Sequence, residues 1–138
     1  MPVTFTLPVY TFQIDFNRHV SNVVYVEWME IGRLKLLEAV GLAVDRTDAM
    51  GFLPVLVETQ IRYRRPVFMG EAVEAEVWLS ELTELYAWMA FRFYKPGRVL
   101  AAEGRQKGLF VRTDTGRPKR LTEAEREVFL PYLQPREP

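Results

Sequence analysis

The chain has no cysteine and only one histidine among its 138 residues. Without cysteine it can form no disulfide, present no thiolate nucleophile and bind no zinc through sulfur. With a single histidine, an all-protein metal site would need mostly carboxylate ligands. We therefore expect no metal ion and no other cofactor, and His19 becomes the first residue to place in a functional scheme.

The chain also lacks an excess of charge of either sign and any long apolar run. Lys and Arg number 18, Asp and Glu number 18, and the formal net charge is 0. This balance argues against nucleic acid as a partner. No apolar run approaches the roughly 20 residues that span a bilayer, and residues 1–13 lack the features of a signal peptide. We expect a cytoplasmic protein with no membrane partner.

The length predicts one domain, residues 1–138, that is large enough to bury a core. Residues 3–16 are rich in β-branched and aromatic side chains and predict a strand that is interrupted or edged at Pro8. The spacing of residues 23–40 predicts a long helix that is apolar on more than one side and covered on most of its circumference. Its main core face should carry Tyr25, Trp28, Met29, Gly32, Leu36, Ala39 and Val40. Residues 43–51 look polar and irregular.

The second half of the sequence predicts a meander of four strands. Their expected bounds are Leu53–Tyr63, Ala72–Glu81, Tyr86–Tyr94 and Leu100–Thr113. The separators "RPVFMG", "LTEL" and "KPGR" suit hairpin connections, and Thr122 is a natural cap for a short helix in the tail. The fold class is therefore α+β, with a curved antiparallel sheet wrapped around the long helix.

Polar residues occur at alternate positions just before this helix. Asp15, Asn17 and His19 would share one side of the chain if the segment is extended, although a turn would alter that. Ser21 or Asn22 would cap the helix, whose first N–H groups and positive dipole end suit a developing oxyanion. A carboxylate beside a carbonyl held there could attack it or activate water. The same residue types are also common as caps and turn residues, so the spacing alone leaves a structural role open.

The segment from residue 15 to residue 33 resembles the signature of the hotdog-fold acyl thioesterases, D-x-x-G-H-V-N-N-x-x-Y-x-x-x-x-E-x-x-R. The matching positions are Asp15, His19, Val20, Asn22, Tyr25, Glu30 and Arg33. Asn17 and Trp28 add a likeness to the plant-type acyl-carrier-protein thioesterases. "IRYRRPVFMGEAV", residues 61–73, is similar to a later segment of the family. The resemblance implies the hotdog fold and the hydrolysis of acyl thioesters.

The resemblance also implies roles for individual residues. Asp15 would be the catalytic nucleophile or general base, Asn17 would orient it or the water, and His19 would transfer protons or fix the carbonyl. Candidate substrate-binding residues are Asn22, with its neighbouring backbone amides as oxyanion donors, and Tyr25, Trp28, Arg64 and Arg65. Pro66, as in the acyl-CoA branch, favours acyl-CoA over acyl-carrier protein. A homodimer or a tetramer with sites between subunits is implied as well.

The sequence departs from the family pattern at several positions, and other functions stay open. Arg18 stands where Gly is usual, and Ser21 stands for the first Asn. A Ser-His-Asp triad is excluded by the crowding of its members into seven positions and by the lack of a G-x-S-x-G elbow. The alternatives are an acyl-carrier-protein thioesterase, a hotdog-fold enoyl-CoA hydratase or dehydratase, and a non-catalytic acyl-CoA-binding protein.

Overall fold

The computed structural model describes residues 1–138, with five strands and three α-helices. In chain order these are β1 (Val3–Leu7), α1 (Asn22–Ala39), α2 (Val44–Met50), β2 (Phe52–Tyr63), β3 (Val73–Leu82), β4 (Ala87–Lys95), β5 (Val99–Arg112) and α3 (Glu123–Glu127). Two 3-10 turns lie at Thr11–Gln13 and Leu130–Tyr132. The strands form one antiparallel sheet in the order β1-β3-β4-β5-β2. The predicted long helix, the four later strands and the capped tail helix are confirmed. The four-strand meander was wrong: only β3, β4 and β5 follow one another as hairpins, whereas β2 pairs with β5, so "RPVFMG" does not connect two paired strands.

Helix α1 packs against the sheet through the face that its apolar spacing predicts. Trp28, Met29 and Leu36 are each at most 1% exposed. Gly32 permits the closest approach, because a Cβ there would lie 3.0 Å from ring atoms of Phe5 and Phe91. The prediction for the end of the helix was wrong in part: Ala39 is exposed, whereas Val40, which follows the last helical residue, is half-buried and packs against the core.

The opposite face of α1 remains open to solvent, contrary to the expectation that the helix is covered on most sides. Val23 is 65% exposed, Val26 is 44% exposed and Leu34 is 40% exposed. Apolar side chains at this exposure form a stripe that a single chain leaves unburied.

Two predictions for the first half of the chain were wrong. The first strand does stop at Pro8, but residues 9–16 do not continue it, because the chain enters the turn Thr11–Gln13. Residues 43–51 are not irregular but contain α2, which buries Thr47 and ends at Gly51 in the left-handed conformation at φ 92°. One buried residue in a polar seven-residue helix gives too weak an apolar period to recognise in sequence.

Strand β2 forms one edge of the sheet and pairs only with β5. A bulge interrupts the ladder between Leu56 and Glu58, and residues 57–60 are exposed. Pro54 is compatible with an edge strand, where a missing N–H costs no ladder bond. A twelve-residue edge carries a row of unpaired backbone groups that another strand could pair with.

Candidate active site

Residues 13–21 form a tight hairpin immediately before α1. Ile14 and Val20 form an antiparallel bridge, the Asp15 N–H donates to the His19 carbonyl at 2.9 Å, and the Ser21 N–H donates to the Gln13 carbonyl at 2.9 Å. The segment is therefore not extended throughout, and the alternation of Asp15, Asn17 and His19 along one side is interrupted by a turn.

The turn of this hairpin holds Arg18 in an unusual backbone conformation. The Arg18 N–H donates to the Asp15 carbonyl at 2.9 Å, and Arg18 has a φ of 66°. Left-handed backbone is unfavourable for residues with a Cβ, at roughly 1–2 kcal/mol. Glycine, which the family pattern places here, would adopt it without that cost. The hairpin bonds on either side hold Arg18 in the glycine conformation.

The hairpin brings Asp15 and His19 together by pairing across the turn. Residues directly opposite each other in an antiparallel pair project their side chains to the same side, and both residues are half-buried. Asn17 lies at the exposed tip, and its backbone N–H donates to Oδ1 of Asp15 at 2.9 Å. This bond orients the carboxylate and leaves Oδ2 without a hydrogen-bond partner. The side-chain amide of Asn17 makes no hydrogen bond.

The amino end of α1 follows at once and offers backbone donors. Ser21 occupies the cap position, but its side chain makes no capping hydrogen bond. The Val24 N–H donates to the Ser21 carbonyl at 3.0 Å, whereas the N–H groups of Asn22 and Val23 have no partner. Unpaired N–H groups at the positive end of a helix are suited to bind an oxyanion.

A cleft of about 220 Å³ opens beside these donors, and we call it the His19 cleft. Its lining residues are His19, Val20, Asn22, Tyr25, Tyr63, Arg64, Arg65 and Pro66. Five predicted site residues, His19, Asn22, Tyr25, Arg64 and Arg65, thus meet in one place. Asp15 and Asn17 lie in the hairpin next to this lining rather than in it.

Trp28 is the predicted substrate-binding residue that lies farthest from solvent. It is 1% exposed, and its ring packs edge-on against Tyr25 at 5.0 Å and lies 5.9 Å from Phe93. Trp28 therefore supports the wall of the His19 cleft from behind and does not line it.

Tyr25 forms the apolar wall of the cleft together with Tyr63, whose ring centroid is 5.2 Å away. Burial, with smaller contributions from the nearby Tyr63 and Glu71, raises the pKa of Tyr25 to about 12. Burial also raises the pKa of Tyr63. Both phenols are therefore neutral hydroxyl groups at physiological pH, able to donate a hydrogen bond.

The chain that follows β2 fixes the position of His19. Phe68 forms an antiparallel bridge with His19, and the two rings meet edge to face at 5.3 Å. The Val20 N–H donates to the Val67 carbonyl at 2.8 Å. Tyr63 and Phe68 were missed as site residues, although both fall in residues 61–73, where the sequence resembles the thioesterase family.

The turn at the end of β2 fixes the backbone position of the two arginines at the cleft mouth. The N–H groups of Arg64 and Arg65 both donate to the Ala101 carbonyl, at 2.7 and 3.0 Å. The Arg64 guanidinium pairs with Glu103 and is 49% exposed, and Arg65 is exposed.

No histidine, aspartate and glutamate side chains cluster in threes as metal ligands would. None of the helices has the length and apolar character needed to cross a membrane.

An antiparallel sheet wrapped around one long helix, with a polar hairpin at the amino end of that helix, defines the hotdog class of fold. The model of the family described as the Thioesterase-like superfamily matches residues 9–129. The chain belongs to this family, and the resemblance seen in the signature residues is confirmed.

Three known proteins are similar to this chain in sequence or in fold. The curated Bacillus subtilis (strain 168) protein "Putative acyl-CoA thioesterase YneP" is 23% identical over 100 residues, covering 72% of each chain. The solved hypothetical protein TT1821 from Thermus thermophilus is 28% identical, with a TM-score of 0.85 over 94% of this chain and 98% of its own. The hypothetical protein SAV2348 from Staphylococcus aureus, solved in complex with CoA, has a TM-score of 0.91 over 100% of this chain and 87% of its own, at 15% identity.

Proposed function

We propose that the protein hydrolyses acyl-CoA thioesters to the free acid and CoA, with Asp15 as the catalytic carboxylate. The observation that carries this proposal is the orientation of Asp15. One oxygen of its carboxylate is held by the Asn17 N–H, the other is free, and the residue faces His19 across the hairpin. The names of YneP and of the CoA complex of SAV2348 support CoA as the thiol carrier.

In the proposed reaction the thioester carbonyl lies at the amino end of α1. The N–H groups of Asn22 and Val23 stabilise the negative charge that develops on its oxygen. Asp15 either attacks the carbonyl carbon or removes a proton from the attacking water. A C–O bond forms, the C–S bond breaks, and His19 delivers a proton to the departing sulfur. On the nucleophilic route water then cleaves the Asp15 anhydride, and on either route the proton lost by water restores His19. Arg64 and Arg65, at the mouth of the cleft, would contact the phosphates of CoA.

The proposed working unit is a homodimer, or a dimer of such dimers, located in the cytoplasm. The edge of β2 has unpaired backbone groups and α1 has an exposed apolar stripe, and both features are typical of a surface that another protein chain covers. A second copy supplies one: two β2 strands paired antiparallel about a two-fold axis near Thr59 would extend the sheet across both subunits. Edge strands pair in this way because each has the same unpaired backbone groups to offer.

The test of the catalytic role is Asp15→Asn, followed by free-thiol release from a series of saturated acyl-CoAs. The substitution keeps the shape of the side chain but removes the nucleophile or base, so we expect kcat/KM to fall by about a thousandfold or more. Asp48→Asn, at an exposed aspartate of α2, is the matched control and should keep wild-type activity. Activity of Asp15→Asn within tenfold of wild type, with an unchanged melting temperature, would remove Asp15 from the mechanism.

A single turnover in ¹⁸O-water distinguishes general-base catalysis from a nucleophilic route in which water opens the anhydride at the Asp15 carboxyl. If Asp15 attacks the carbonyl and water then opens the anhydride at the Asp15 carboxyl, the first product acid carries no ¹⁸O. If Asp15 activates water, every product molecule carries one ¹⁸O atom. A trans-2-enoyl-CoA that is hydrated without release of thiol would favour a hydratase instead.

A further inference from the structure

Two residues other than glycine have left-handed backbone, and both are arginines. Arg98, in the turn between β4 and β5, has a φ of 58°, and Arg18, in the hairpin before α1, has a φ of 66°. This conformation is unfavourable for a residue with a Cβ and persists only where the surrounding structure enforces it, often at sites of function. The contacts of each arginine show whether its side chain stabilises the fold.

The side chain of Arg98 stabilises the fold. Its guanidinium lies 3.6 Å from a carboxylate oxygen of Glu76 on β3 and 4.0 Å from the centre of the Tyr94 ring. The ion pair and the cation–π contact offset part of the cost of the backbone conformation. Contacts within the chain are therefore enough to explain an arginine at this position.

The side chain of Arg18 has no partner within the chain. It is exposed, and it makes no hydrogen bond, ion pair or aromatic contact. Its neighbour His19 lines the His19 cleft, and its own backbone N–H donates to the carbonyl of Asp15. The hairpin that carries the proposed catalytic groups thus holds a free positive charge on a residue with unfavourable backbone.

A second free cation lies at the mouth of the cleft. Arg65 is exposed and its guanidinium has no ion-pair partner, whereas the guanidinium of Arg64 pairs with Glu103. The planar guanidinium group suits phosphate, because it can form two parallel hydrogen bonds to one phosphate group. Arg18 and Arg65 therefore provide two unpaired phosphate-binding groups, one on the hairpin and one after β2.

The distance from Asp15 indicates which phosphate of CoA Arg18 can contact. Asp15 and Arg18 are the first and fourth residues of a β-turn, so their Cα atoms lie within about 7 Å of each other, and an extended arginine side chain adds about 6 Å. In CoA about 13 bonds, spanning at most about 16 Å, separate the sulfur from the first phosphorus, and the ribose phosphate is about eight bonds farther away. The reach of Arg18 matches the first phosphate better than the ribose phosphate.

We propose that Arg18 is a substrate-binding residue that pairs with the phosphate next to the pantetheine arm of the thiol carrier. This inference rests on the proposed function. The ligand class is a phosphate ester of a pantetheine thioester. Glycine at this position would remove both the unfavourable backbone and the contact, so the arginine lowers the stability of the chain and raises its affinity for substrate.

The first test compares one acyl group on three thiol carriers: CoA, phosphopantetheine and pantetheine. Arg18→Gln removes the charge, and KM for the two phosphate-bearing substrates should rise about tenfold with kcat unchanged, because the contact is the same before and in the transition state. The acyl-pantetheine has no phosphate, so wild type and Arg18→Gln should hydrolyse it equally well. Arg18→Lys keeps the charge but not the bidentate geometry and should raise KM only about threefold. Arg98→Gln is the matched control and should leave KM unchanged for all three substrates.

Two outcomes of this comparison would overturn the inference. An equal loss on acyl-pantetheine would mean that Arg18 acts on the hairpin and not on a phosphate. A loss confined to acyl groups with an acidic end would place the anion on the acyl chain. Calorimetric titration with CoA and with pantetheine does not depend on turnover: Arg18→Gln should bind CoA about tenfold more weakly and pantetheine equally well, and equal affinity of both proteins for CoA would overturn the inference even if the chain hydrolyses no acyl thioester.

Arg18→Gly distinguishes substrate binding from a structural role of the side chain. Relief of the unfavourable backbone should raise the melting temperature by about 3 °C, while KM for acyl-CoA rises as it does in Arg18→Gln. Arg98→Gly should show no such gain, because it also loses the contacts with Glu76 and Tyr94. A melting temperature of Arg18→Gly below that of wild type would show that the arginine supports the fold, and it would overturn the inference.

Discussion

The backbone N–H of Asn17 donates a 2.9 Å hydrogen bond to Oδ1 of Asp15. A carboxylate held in this way keeps one oxygen in a fixed direction for attack on a substrate or on water. The bond comes from the main chain, so it depends on the shape of the hairpin and not on the amide side chain of Asn17.

Replacement of Asn17 by alanine should therefore have a small effect. We expect Asn17→Ala to keep kcat/KM within about threefold of wild type, because the main-chain bond to Asp15 persists and a single exposed side chain is lost. Acyl-CoA hydrolysis measures this directly, with Asp15→Asn as the inactive reference. A loss of more than a hundredfold would instead mean that the amide side chain contacts the substrate or the attacking water.

Charge at the edge of β2 should separate the subunits. Val57 lies in the bulge near the proposed two-fold axis and is 56% exposed. Val57→Lys places two like charges near each other in the dimer, as natural edge strands do to prevent pairing. Sedimentation should show a shift toward the monomer, with activity lost at the concentrations where the monomer prevails. Val99→Lys, at 41% exposure away from that edge, should change neither property.

We expect Trp28 to stabilise the folded chain and not to bind substrate. Removal of a fully buried tryptophan side chain typically costs about 3–5 kcal/mol, so Trp28→Ala should lower the free energy of unfolding by that amount. Urea unfolding measures it, and Phe12→Ala, at 82% exposure, should change it by no more than about 0.5 kcal/mol. An unfolding free energy within 1 kcal/mol of wild type for Trp28→Ala would contradict the core role.

Alkaline pH should destabilise the fold in part through Tyr25. Its pKa is about 12 in the folded chain, against an ordinary value of 10.0. Between these values the folded chain holds the proton more tightly than the unfolded chain, so stability falls as pH rises from 10 to 12 and is unaffected below that window. Urea unfolding across pH 8–12 should give a shallower decline for Tyr25→Phe than for wild type. Tyr10→Phe, at an exposed tyrosine, is the control, and identical slopes for wild type and Tyr25→Phe would contradict the prediction.

The apolar spacing of α1 and of the strand segments was enough to predict a sheet wrapped around a helix, because burial of one face is encoded in local periodicity. The pairing of β2 with β5 was not predicted, because two strands that are distant in the chain can pair without any turn residue between them to indicate it. The helix within residues 43–51 was not predicted, because a helix that buries only Thr47 shows almost no apolar periodicity in its sequence. Tyr63 and Phe68 were not predicted as site residues for a different reason. They reach the cleft only because β2 and the chain after it fold back against the hairpin before α1.

The sequence by itself determined which chemical groups this protein has to work with: one histidine, no cysteine, and a carboxylate just before a long apolar helix. Tertiary structure alone decided how they meet. The hairpin that pairs Asp15 with His19 and holds Arg18 at a φ of 66° is fixed by long-range bonds to Val67 and Phe68. Spacing along the chain carries no information about such contacts, because they depend on where distant segments of the sheet end.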